Sequence, residues 1–470
     1  MRKWIGSIFI VLIIMACLPP VLGFFAKQSL NRLIDNLVLP PGMQISLQEY
    51  TFGWLSSYAS IQVHLADVTP RYTTDQSLDI KVHGHMIHGP LFTGANGLML
   101  GLARLNLHAD LKDIQGLTPA VKQELQQLFK GEHLLHASSV FYFTGAMAVN
   151  VKSSPMNASA LGDSIQWNGF NADIKINRSF DALHTNVQFS PLLFSTAQGA
   201  VLDIAPMNFI AQLTRTPDTP WVGQQLFTVP VFYLKDETGE VMRFDHLRVV
   251  SNSALIADLL QASFNVTAAN IIMGTQTADQ LHFDFQVENI ASTPLMRLTQ
   301  LMAKSQTLTA QELQTVFQDL ILTLAQGADL KLDYLLNIKD KRVIVRADFE
   351  FATIQDELND SLLNNSQHLL AGLNGRIQIV LPKTFAIEML MQQPLSLTMT
   401  AEELNAQINH FLTAMIQQGL IVESNGIYAL DLDYQQGKIM LNTRTLSQDE
   451  IYLLLMLLSQ ASPYARSVTP

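Results

Sequence analysis

From residue 45 onward the chain alternates apolar and polar positions with a period of two. The stretches 45–65 (ISLQEYTFGWLSSYASIQVHL), 77–92, 102–111, 140–154, 171–179 and 184–190 carry the pattern. It returns at 280–289, 342–353, 375–382 and 428–442. Successive side chains of a strand point to opposite faces, so this alternation predicts strands with one packed and one solvated face, as in antiparallel sheet. Gly, Asn and Asp punctuate the runs. YQQGKI, residues 434–439, predicts a hairpin turn between strands 429–434 and 438–442.

A helical period replaces the alternation in three places. Segment 305–328 puts Leu313, Val316, Phe317, Leu320 and Leu324 on one face, and Thr309 followed by Glu312 forms a capping box. Segment 400–420 carries the stripe Leu404, Ile408, Phe411, Leu412 and Met415, and 117–131 is a shorter third helix. Such stripes predict faces packed on a sheet. Each of the two long helices precedes a strand, a turn and a second strand, an architectural repeat without sequence identity. The expected fold is α+β, dominated by elongated antiparallel sheet with a few packing helices.

The first residues follow neither period. Residues 4–26 are uncharged, with Arg2 and Lys3 before them and Lys27 after. At about 1.5 Å per residue this run spans a hydrocarbon core of roughly 30 Å. Basic residues on its leading side predict a cytoplasmic N-terminus and an exported body. No A-x-A cleavage pattern follows the run. A lipoprotein signal would use Cys17 in IMAC, with Ile14 and Met15 in place of the usual leucine and small residue. Charge placement and length favour an uncleaved transmembrane helix, kinked at Pro19 and Pro20 and continued by residues 24–37, with cleavage or lipidation as alternatives. The expected organisation is an anchor with its following helix over 1–38 and an exported body over 39–470, subdivided near 295–305. The expected place is the inner membrane, single-pass, with the body in the periplasm. The apolar IYLLLMLL at 451–458 is too short for a second span.

Composition narrows the function classes. The chain of 470 residues is 48% hydrophobic and 15% charged, enough apolar material for a large core. Its formal net charge is −11 and basic residues do not cluster, so nucleic acid is excluded as a partner. A single cysteine rules out an intrachain disulfide and a thiolate zinc cluster.

The densest candidate chemistry is HGHMIHGPLF, residues 83–92. On a strand His83 and His85 share one face and His88 takes the other, so the three do not form one chelate. A pair at i and i+2 needs a further ligand, and neither His64 nor His108 is fixed by spacing. The expectation is solvated or hydrogen-bonded surface histidines and no metal. G-x-S-x-G, H-E-x-x-H, G-x-x-x-x-G-K-[ST] and a strand–helix G-x-G-x-x-G do not occur. No catalytic residue, cofactor site or enzymatic activity is expected.

Several segments together resemble a known family. They are the apolar N-terminal segment with its helix, YTFGWLSSYASIQVHL with Tyr50, Gly53, Ser56 and Ser57, IHGPLF with His88, Gly89 and Pro90, and YALDLDYQQGKIMLNTRTLS with Gly437. The chain resembles, over nearly its whole length, the YdgA-like family of bacterial envelope proteins, a family of unknown function. The resemblance implies that His88, Gly89 and Pro90 form a family motif that reads as turn chemistry, Gly89 for unusual backbone angles and Pro90 to fix the exit. The organisation is also similar to AsmA-like envelope proteins, which implies an elongated sheet whose concave face shields acyl chains. The expected function is a membrane-anchored envelope protein that binds or conducts lipid or supports envelope integrity. The alternative is a non-enzymatic scaffold of the envelope. The expected partners are the inner membrane and a lipid ligand, and the sequence identifies no protein partner.

Overall fold

The computed structural model describes residues 2–36, 42–66, 77–94, 97–129, 133–160, 162–216, 219–274, 276–304, 310–339, 341–353, 371–391, 401–435, 437–442 and 444–447. Thr309 of the expected capping box and the apolar 451–458 lie outside the described residues. The chain divides into two compact units, Met1–Arg248 with Ile272–Thr275, and Val249–Ile271 with Gln276–Pro470.

The first unit opens with α1 (Arg2–Asn36), helical through Pro19 and Pro20. Among the described residues no helix is long and apolar enough to cross a membrane. The side chains of residues 2–17, which make up most of the expected spanning run, are outside that description.

Next come β1 (Met43–Phe52), β2 (Ser56–Leu65), β3 (Leu78–His88), the hairpin β4 (Leu91–Gly94) and β5 (Gly97–Leu100), and β6 (Ala103–Ala109). A two-residue β7 (Ile114–Gln115) and α2 (Pro119–Phe129) precede β8 (Leu135–Phe141) and β9 (Met147–Ser153). The unit continues through β10 (Met156–Ala160), β11 (Asp163–Trp167), β12 (Phe170–Ile176) and β13 (Ala182–Phe189). Its remaining strands are β14 (Leu192–Ser195), β15 (Val201–Ile204), β16 (Met207–Thr214) and β17 (Val222–Lys235). The pairings are antiparallel and run β1–β2–β3–β6–β8–β9–β12–β13–β16–β17.

Register sorts this sheet into two faces. Tyr58, His85, Asn106, Ser138 and Asn150 form one cross-strand row, and the next row, Ser57, Met86, Leu105, Ser139 and Val149, points the other way. The second face receives α1. Ala26 and Leu30 pack there with Ala59, Ile61, Met86, Ala103, Leu105, Phe141 and Met147 in one buried cluster. Alanines at 26, 59 and 103 let the helix backbone approach the sheet closely.

Two long strands, β18 (Val241–Ile256) and β19 (Leu259–Met273), give residues to both units. The second unit contains β20 (Gln276–Ala291), α3 (Ser292–Lys304), α4 (Ala310–Leu324), β21 (Asp329–Ile338), β22 (Lys341–Phe351) and β23 (Leu373–Pro382). Then follow α5 (Lys383–Met391), α6 (Ala401–Gln417), β24 (Val422–Ser424), β25 (Ile427–Gln435), β26 (Lys438–Leu441) and β27 (Arg444–Thr445). Its sheet is antiparallel in the order β20–β21–β22–β23–β25–β26. The YQQGKI turn closes as expected, with Gln435 opposite Lys438 and Gly437 at φ 79°.

The stripe of α6 buries Leu404, Ile408 and Leu412 against Ala386, Ile421 and Tyr428. The stripe expected on α4 is corrected. Phe317 and Leu320 are exposed, and the buried positions are Asp319, Ile321 and Thr323. The packed face is turned because α3 lies alongside, and Arg297 of α3 reaches the buried Asp319 at 2.7 Å.

Candidate functional site

The register Ser56–Ile87, His88–Ala103, Ala103–Phe141 and Phe141–Met147 brings the ends of β1, β3 and β8 and the starts of β2, β6 and β9 to one end of the first unit's sheet. His88 sits there, 4% exposed, on the face that receives α1. Its Nδ1 lies 3.1 Å from the Trp54 carbonyl oxygen. A carbonyl only accepts, so Nδ1 carries the proton, and the bare Nε2 of the neutral ring accepts from Ser57 Oγ at 2.8 Å. Burial holds the His88 pKa below the ordinary histidine value, against the opposing hydrogen bond to Trp54. Gly23 of α1 lies over the ring. A Cβ at that position would come within 2.4 Å of His88 Cε1.

His88 is therefore the seat of α1: its ring is hydrogen-bonded, as expected, but buried where a surface histidine was expected. The Gly89–Pro90 peptide is cis, and the reason for glycine is close approach, because a Cβ on Gly89 would lie 1.9 Å from the Gly101 carbonyl oxygen. The expected need for unusual backbone angles at Gly89 gives way to this contact.

The turns at the same end expose large apolar side chains. Trp54 and Leu55 are 60% and 64% exposed, and Leu91, Leu100 and Phe143 are exposed as well. On α1 the exposed large apolar residues, among those described, are Val21, Phe24 and Phe25, beside the seated Gly23. Lys27, the first charge after the apolar run, lies 4.9 Å from the centre of the Tyr50 ring. Such a rim places apolar and aromatic groups around the point where α1 leaves the sheet.

The opposite face of this sheet carries His64, His83, His85, His108 and His136. His83 faces His108, which faces His136. His85 stacks on Tyr58 at 4.9 Å, and His64 bonds Asp79 at 2.9 Å. Hydrogen bonds from Gln62 and His64 hold the Asp79 carboxyl below its usual range. At the end far from His88, His108, Asp110 and His133 converge, their ligand atoms within 4.8 Å of one another. Thus His83 and His85 do not share a ligand set, and His108 gains partners that its sequence neighbours do not announce.

The second unit separates its two faces as sharply. Asp284, Asp333, Arg346, Gln378 and Asp431 form one cross-strand row. Ion pairs Arg346–Asp333 at 3.3 Å and Arg376–Asp431 at 2.6 Å cross that face. On the other face the rows are Phe283, Tyr334, Val345, Ile379 and Leu430, then Phe285, Leu332, Ala347, Ile377 and Leu432. Nine of these ten apolar residues are only half-buried, and Phe285 is exposed. Burial raises the Tyr334 pKa above the usual phenol value.

Neither a curated protein nor a solved structure matches the chain. A family model does match, over residues 1–449, and its description is a bacterial protein of unknown function, DUF945. Since that match takes in both sheets, α1 and the His88 seat, the chain belongs to the DUF945 family.

Proposed function

We propose that the chain is an inner-membrane-anchored protein of the bacterial envelope that binds acyl chains on the second unit's sheet, without covalent chemistry. The observation that carries this reading is the pair of half-buried apolar rows on β20, β21, β22, β23 and β25. Contiguous apolar surface of more than a few hundred Å² is rare on soluble proteins and marks a binding surface. An acyl chain gains about 0.8 kcal/mol per methylene buried, so roughly fifteen carbons outweigh the cost of ordering them.

The membrane seat rests on separate support. Residues 4–26 are long enough to span, and the rim of Trp54, Leu55, Leu91, Leu100 and Phe143 suits the interfacial layer, where Trp and other amphipathic or apolar groups collect. Arg2 and Lys3 favour the cytoplasmic side for the N-terminus. The resemblance to YdgA-like and AsmA-like envelope proteins supports the same placement. Ser57 and His88 have the contact of a nucleophile and its base, but both are buried, Ser57 fully, beneath α1. That enclosure favours a structural pair over a catalytic one.

The test is lipid analysis of full-length protein purified from native membranes in mild detergent. Organic extracts should contain phospholipid or fatty acid in near-stoichiometric amount by mass spectrometry. Val345→Asp puts a charge between Tyr334 and Ile379 and should lower the bound lipid several-fold with the fold retained. Lipid-free wild-type protein, or unchanged lipid in the folded variant, would decide for the scaffold alternative.

A further inference from the structure

The polar face of the first unit's sheet offers a second chemistry, independent of lipid. β6 and β8 are antiparallel neighbours, yet between Ala109 and Leu135 the chain makes a long excursion through β7 and α2. Asp110 leaves at its start and His133 returns at its end. Leu134 N–H donates to the Ala109 carbonyl at 2.9 Å, and Ser154 N–H donates to the Leu134 carbonyl at 3.2 Å. The first of these bonds pinches the two ends of the excursion together beside His108, and the second ties Leu134 to the end of β9.

His108 on β6 and Asp110, still extended just past the strand's end at φ −104° and ψ 152°, stand two residues apart and so project to one side. The rings of His108 and His133 lie 4.8 Å apart, and His133 Nδ1 contacts an Asp110 carboxylate oxygen. Around them stand His83, stacked 5.7 Å from His108, and Asp113, whose carboxylate is 3.2 Å from His83 Nε2. Lys112 Nζ sits 3.1 Å from the second Asp110 oxygen, on a side chain 75% exposed that can turn into solvent.

We propose that His108, Asp110 and His133 bind one zinc-class divalent transition-metal ion. Two imidazoles and one carboxylate are the donor set of such ions, whereas calcium and magnesium take oxygen ligands throughout. Ligand atoms at about 2.0–2.2 Å from zinc lie roughly 3–3.5 Å from one another. The three ligand atoms already lie within 4.8 Å of one another. The third ligand, His133, directly precedes Leu134, whose N–H bonds the Ala109 carbonyl, and this keeps it beside His108 and Asp110 before any ion arrives. His133 is exposed, so the open coordination side faces solvent and the ion has a route in.

The experiment uses full-length protein in detergent, stripped with EDTA and titrated with Zn²⁺ against a chromophoric chelator. One ion per chain is expected. His108→Ala and His133→Ala should each weaken binding more than the roughly 10–100-fold that loss of an outer-shell partner costs. His64→Ala and His85→Ala should leave it unchanged. A measurement on the wild type alone covers variants that do not fold: Zn²⁺ should protect His108 and His133 from diethylpyrocarbonate, read by peptide mass spectrometry, with His85 still modified. Absence of stoichiometric binding, equal losses in the His64 and His85 variants, or no protection of His108 and His133 would each overturn the site.

Discussion

The two units use one construction and finish it differently. Both have an antiparallel sheet with an apolar and a polar face. In the first, the apolar face is lined by small residues near the helix, Ala59 and Ala103, and α1 closes it so tightly that Met86, Ala103 and Leu105 are at most 1% exposed. In the second, the rows through Phe283, Tyr334, Val345 and Ile379 carry large side chains that stay half-buried. Small residues admit a helix at close range, and the cluster then gains the full burial free energy, about 1.5–3 kcal/mol per large side chain. Large residues with part of their surface in water keep that gain available for a ligand.

The comparison breaks first at the sealed face. Leu105→Ala, at the centre of the cluster with Ala26 and Leu30, should cost about 2–5 kcal/mol in chemical denaturation of the first unit. The second unit's half-buried Val345→Ala should cost clearly less, because its surroundings already admit water. Equal losses would erase the distinction between the two faces.

A smaller effect is expected at the helix seat. His88→Ala removes the ring nitrogen that the fully buried Ser57 hydroxyl meets at 2.8 Å, a cost of about 1–3 kcal/mol. Adding Ser57→Ala should recover part of it, since removing both partners of a buried hydrogen bond is cheaper than removing one. Full additivity of the two substitutions would show that Ser57 and His88 do not act as a pair.

The smallest effect is the pH dependence of the same seat. The folded pKa of His88 is depressed below its unfolded value of about 6.5, so the unfolded chain binds more protons just below that pH. Its contribution is therefore complete above about pH 6.5 and is lost as pH falls through the folded pKa. The wild type should lose stability on mild acidification relative to His88→Ala, in paired denaturation curves at pH 7.5 and 5.5. Parallel curves would mean that His88 is not held neutral.

Much of this was legible in the sequence. Strands β2, β3, β20, β22 and β25 announce themselves because apolar and polar residues alternate along them. The strands from β14 to β19 do not, because their residues are mostly half-buried on both faces and the apolar–polar contrast fades. α3 was hidden by Pro294, which fits the first turn of a helix but reads locally as a break. Residue parity alone put His88 opposite His83 and His85. Its Ser57 contact spans 31 residues, and His133 meets His108 only because the chain returns after α2, so neither spacing carries a signal.

On the proposed function, the second unit's apolar face, and not the first's, receives acyl chains. A photoactivatable diazirine fatty acid, crosslinked to full-length protein in native membranes and mapped by peptide mass spectrometry, tests it most directly. The account predicts adducts on β20–β23 around Phe283, Tyr334, Val345 and Ile379, and none on Met86 or Leu105. Labelling confined to the rim at Trp54 and Leu55, or spread equally over both sheets, would contradict it.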